Sequence, residues 1–130
     1  MIRSIPFEFF AENQHMYFDI QRLAMLEKIS GVTVGEMASG KNGAGSGLNF
    51  VIAACIVGLS HHNFKATPED YAGMIEKYID DGGSFMELES EVGRAIVASG
   101  IYGKRSADIV LGIKPSKKEE IPNAQQPVSE

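Results

Sequence analysis

The run Leu48-Asn49-Phe50-Val51-Ile52-Ala53-Ala54-Cys55-Ile56-Val57-Gly58-Leu59 is apolar nearly all round. It is too short to cross a bilayer as a helix, which takes about 20 residues. Two central alanines favour a helix over a strand, a choice that periodicity alone does not make. A helix with no wet face has to be covered by its neighbours. The run therefore predicts a buried helix over 48–60 inside a mainly α, compact single-domain helical bundle. Exposure of this segment, or its pairing in a sheet, would break that prediction.

The covering elements are legible on both sides of the run. Thr67-Pro68-Glu69-Asp70 is a helix start: threonine can cap, proline fits the first helical position, and carboxylates suit the positive helix end. Tyr71, Ile75, Tyr78 and Ile79 follow as an apolar stripe, and Gly82-Gly83 stops the helix near 81. Ser84-Phe85-Met86-Glu87 has the form of a capping box for a second helix over 84–99, with Phe85, Leu88, Val92, Ala95 and Ile96 facing inward. Upstream, Ile20, Leu23, Leu26 and Ile29 share a stripe over 19–30 that ends at Gly31. Ile5, Phe7 and Phe9 alternate with Pro6 and Glu8, and Met16-Tyr17-Phe18 can return after a turn, which predicts a short N-terminal β-hairpin; extension of the next helix is the alternative. The expected core is Leu23, Leu26, Phe50, Ala54, Cys55, Ile75, Ile79, Leu88, Val92 and Ile96.

Two stretches read as irregular. Val32 to Gly47 holds five glycines among small polar residues, a composition expected to form a mobile loop. Beyond Gly103 a short apolar piece, Ala107 to Ile113, precedes Lys114 to Glu130, which carries three prolines and no aromatic residue and reads as a disordered tail. Residues 1–103 are thus expected to form the helical domain, and 104–130 the apolar piece and polar tail.

Charge narrows the function classes. The net charge of −5 opposes binding to nucleic acid or to an anionic membrane surface, both of which call for clustered bases. It is concentrated: from Pro68 to Ser99 there are eight acids (Glu69, Asp70, Glu76, Asp80, Asp81, Glu87, Glu89, Glu91) against two bases (Lys77, Arg94), or −6, leaving +1 elsewhere. This is either a solvated face or a surface that steers a basic partner. The start Met-Ile-Arg-Ser-Ile-Pro lacks the apolar stretch of a secretory signal, so a cytoplasmic protein is expected.

Chemistry-bearing motifs are weak. Gly35-Glu36-Met37-Ala38-Ser39-Gly40-Lys41-Asn42 approaches the phosphate-cradling loop G-x-x-x-x-G-K-[S/T], but Asn42 replaces the magnesium-holding hydroxyl and glycines continue to Gly47. On a helix, the adjacent His61 and His62 would point about 100° apart and would not converge on a metal. Cys55 lies in an apolar setting that would raise its pKa and reads as a small core hydrophobe. Glu87, Glu89 and Glu91 would diverge at i,i+2 spacing. The residues nominate no enzyme, cofactor or metal, and leave a small acidic helical protein that binds other proteins.

The order of elements carries a resemblance. Phe18-Asp19-Ile20-Gln21-Arg22-Leu23 through Leu26-Glu27 to Gly31, a glycine-rich insert, Leu48 to Leu59, the Thr67-Pro68-Glu69 helix and Ser84 to Gly100 together resemble the tail assembly chaperones of long-tailed bacteriophages. The resemblance implies a non-catalytic protein of the bacterial host cytoplasm that is absent from the mature virion; a homo-oligomer is expected separately, because Ile101 to Ile113 carries more apolar surface than a free tail would. Such a protein would coat the helical tape measure protein and help to recruit tail tube protein. It also implies that a longer form can arise by ribosomal frameshifting, for which codons of Ser116-Lys117-Lys118 can spell the slippery run A-AAA-AAG. The family carries no catalytic residues across. Partner contact is therefore expected from apolar residues least suited to the core: Ile101, Tyr102, Ile109, Val110, Leu111 and Ile113. The rival readings are a generic small acidic interaction module of phage or bacterial origin, and an enzyme using the glycine loop.

Overall fold

The apolar run folds as a helix, and neighbouring elements cover it. The computed structural model describes residues 3–39 and 45–114. In chain order its elements are β1 (Ser4–Pro6), β2 (His15–Tyr17), α1 (Ile20–Ser30), α2 (Val34–Ser39), α3 (Leu48–Gly58), α4 (Pro68–Asp80), α5 (Phe85–Ala98) and α6 (Lys104–Leu111). Phe50, Val51, Ala53, Ala54, Cys55 and Val57 of α3 are buried, with α1, α4, α5 and β2 packed around them. Each such Val or Phe side chain removed from water contributes about 1.5–3 kcal/mol.

The helix ends follow from local chemistry. Asp19 caps α1 by accepting from the Arg22 N–H (2.8 Å), and Gly31 closes it in the left-handed region at φ +74°. Thr67 Oγ1 accepts from the Asp70 N–H (3.1 Å) while the Asp70 carboxylate accepts from the Thr67 N–H (2.9 Å). Ser84 and Glu87 form the second capping box, and the Tyr78 hydroxyl adds a hydrogen bond to Glu87 across the α4–α5 turn. A side-chain cap of this kind is worth about 1 kcal/mol.

The hairpin is antiparallel, with Ile5 opposite Met16, and the Phe7 N–H donates to the Gln14 carbonyl (2.8 Å). Its period of two sends Ile5, Phe7, Met16 and Phe18 into the core. Gly58 lets it lie directly on α3: a Cβ there would come within 2.7 Å of Met16 Cγ and 2.9 Å of the Phe18 ring.

Three expectations are corrected. Residues 34–39 are the helix α2, not a mobile loop, because Thr33 and Glu36 make a reciprocal capping pair (Glu36 N–H to Thr33 Oγ1, 3.1 Å; Thr33 N–H to Glu36 carboxylate, 2.9 Å) and Glu27 accepts from the Val34 N–H. Ile79 is not core; it stands 44% exposed because α4 buries the Tyr71–Ile75 side of its stripe instead. Ile20 and Ile29 also face outward, since α1 meets α3 through Leu23 and Leu26. The expected disordered tail from Pro115, the Ser116-Lys117-Lys118 site and Gly40 to Ala44 lie outside the described residues. Among the described residues no helix is long and apolar enough to cross a membrane.

Candidate partner-binding surfaces

The residues after Gly103 form a helix and not merely an apolar piece. α6 docks on α5 through the buried Ala107, and Asp108, 7% exposed, is paired with Lys104 (2.7 Å). Arg94, itself bridged to Glu91, donates to the Val110 carbonyl (3.0 Å), placing a cation at the negative end of α6. This arrangement divides the six residues expected to contact a partner. Ile101, Tyr102, Val110 and Leu111 are half-buried against the core, and the Tyr102 hydroxyl donates to the Val34 carbonyl (2.7 Å). Burial raises the Tyr102 pKa, keeping that donor protonated. Ile109, 71% exposed, and Ile113 face solvent.

Beside this outward edge lies a groove of about 350 Å³ lined by Met37, Gly93, Ile96, Val97, Tyr102 and Ser106. Gly93 leaves open space where a side chain would stand, so another backbone can approach α5 closely. Ile109 stands three residues beyond Ser106 and so shares its side of α6, while Ile113 follows the left-handed Gly112 that ends the helix.

A second apolar surface is absent from the sequence expectations. Met25 and Ile29 of α1, Ile56 of α3 and Phe64 of the following turn line a groove of about 380 Å³. Phe64 is 78% exposed, more than any other large apolar side chain described. Two signals were present: α1 carries apolar residues on more than one face, and Phe64 stands alone among polar turn residues.

The remaining candidates have structural roles. Cys55 is fully buried and burial pushes its thiol up to about 12, leaving it the core hydrophobe expected. Glu87, Glu89 and Glu91 diverge to separate partners, the Ser84 N–H, the Gly47 N–H and Arg94. His61 and His62 sit on the expected turn after α3, not on a helix, with ring centres 4.1 Å apart. Tyr17 lies 4.8 Å from the His61 ring, and the Arg22 guanidinium lies 3.9 Å over Tyr17. The His15 N–H donates to His62 Nε2 (3.0 Å). Among the described residues no group of three histidine, cysteine or carboxylate side chains is placed to hold a metal ion.

No family model, curated protein or solved structure matches this chain.

The site must therefore be read from its own chemistry. Both grooves are apolar, open and bordered by helices, a shape that accepts the apolar stripe of another helix.

Proposed function

We propose that this protein is a non-catalytic assembly factor of the tail assembly chaperone type, acting in the bacterial host cytoplasm. Its partner on this reading is the amphipathic helix of a tape measure protein, and a partly covered tape measure would then be handed to tail tube protein. The observation that carries the proposal is the apolar groove lined by Gly93 and Ser106, with exposed Ile109 on the same side of α6 as Ser106 and exposed Ile113 just past the helix end. An exposed apolar strip beside a groove covers a helix that would otherwise self-associate. The order of elements resembling the chaperone family supplies the identity of that helix.

The test co-expresses the full chain with the product of the long helical gene expected beside its own. The wild-type chain should keep that product soluble and co-purify with it. Ile109→Asp with Ile113→Asp should abolish co-purification while the variant's circular dichroism is unchanged, because neither side chain is buried. Absence of a long helical gene in the neighbourhood, or undiminished capture by the double variant, would defeat the reading.

A further inference from the structure

The α1–α3 groove differs from the rest of the molecule in charge. Arg22 lines it, Lys28 stands on the same helix beside the Gln21 and Met25 wall, and the Lys65 ammonium lies 5.6 Å over the Phe64 ring. No carboxylate lines it. In a chain of net charge −5 this is a basic-rimmed apolar trough. The outer face of α4 has the opposite character. Glu69, Ala72, Gly73, Glu76, Ile79 and Asp80 are all exposed and recur at helical spacing. Glu69, Glu76 and Asp80 make no ion pair or hydrogen bond among the described residues. A Cβ at Gly73 would meet nothing within 4 Å, so the ridge between the carboxylates is low and Ile79 is its apolar knob.

We propose that the α1–α3 groove is occupied by the outer face of α4 from a second copy of this chain. Ile79 and the low Ala72–Gly73 ridge would seat against Met25, Ile29, Ile56 and Phe64, with Glu76 and Asp80 facing Lys28 and Lys65. The acidic faces of two copies repel each other, so association has to join unlike faces. The contact uses none of the α6 residues assigned to the tape measure helix, and its test needs this chain alone.

Sedimentation of the full chain decides the matter. The wild type should associate with concentration, and more weakly as salt rises from about 0.01 M to about 1 M, over which the screening length shortens from about 30 Å to about 3 Å. Lys28→Glu with Lys65→Glu, and separately Glu76→Lys with Asp80→Lys, should each weaken self-association at least about tenfold by turning exposed attractions into repulsions. Mixing the two double variants should restore a complex, because each then supplies the face the other lacks. All four side chains are exposed, and unchanged thermal unfolding would show that the variants fold. Met25→Ser should weaken association with little change in its salt dependence. A wild type that stays monomeric at low salt, variants that associate as well as wild type, or folded variants that fail to rescue each other would overturn the proposal.

Discussion

The α4–α5 pair and the α1–α3 pair contribute to one core, yet they dispose of their apolar residues differently. In α4 and α5 each start is closed by a reciprocal capping box, and most of the apolar stripe points inward. In α1 and α3 the apolar residues exceed what the contact between them can cover: Met25 and Ile29 are left in water beside Phe64, and Leu48 at the start of α3 is exposed as well. The first pair is organised for folding. The second keeps apolar side chains in water, and the proposed contact with a second copy rests on that surface.

The largest effect that tests this contrast comes from the interior. Leu88→Ala in α5, fully buried, should lose about 2–5 kcal/mol in urea unfolding. Met25→Ser or Phe64→Ser, by contrast, should stay within about 0.5 kcal/mol of wild type, as exposed positions do. A large loss at Met25 or Phe64 would mean that the groove is core after all. Next in size is Gly58→Ala, expected to cost about 1–3 kcal/mol through the collision with Met16 and Phe18, less the small gain in helix propensity. A stabilised Gly58→Ala protein would show that the hairpin can lift from α3 freely. Smaller again, Thr67→Ala and Ser84→Ala should each remove about 1 kcal/mol, and their sum should be nearly additive if the two capping boxes act separately.

The gentlest probe is pH, where the two regions should respond in different windows. Desolvation first, then the neighbouring His62 and Arg22 charges, lower the His61 pKa in the folded chain. The stability linked to His61 is therefore complete above its unfolded value near 6.5 and is lost as pH falls through the lower folded value. Hydrogen bonds from Tyr78 and Ser84 lower the Glu87 pKa, so the α4–α5 turn keeps its contribution down to about 4.5 and loses it below. Urea midpoints of wild type, His61→Gln and Glu87→Gln across this range should separate the two windows. Coincident losses would mean that both corners unfold as one titrating unit.

Legibility in the sequence follows the same division. α4 and α5 were readable because threonine, proline, serine and glutamate occupy positions where backbone N–H groups need partners, and that need is local. The hairpin was readable from its period of two and its turn. α2 was missed although Thr33-Val34-Gly35-Glu36 has the spacing of a capping box, because the surrounding glycines outweighed it. Of the six apolar residues nominated for partner contact, the pattern did not separate exposed Ile109 and Ile113 from half-buried Ile101, Tyr102, Val110 and Leu111. That separation depends on α6 lying against α5 with Arg94 holding its end.

By itself, then, the amino-acid sequence determined where α1, α4 and α5 begin and end and that Leu48 to Leu59 must lie inside, because capping and the burial of a helix without a wet face are satisfied within a few residues or by any apolar neighbour. Only the tertiary structure decided which surplus apolar side chains stay in water. Ile79, Met25, Ile29 and Phe64 are as apolar as their buried neighbours, and their exposure depends on which elements pack across them, a relation that residues distant in sequence settle together.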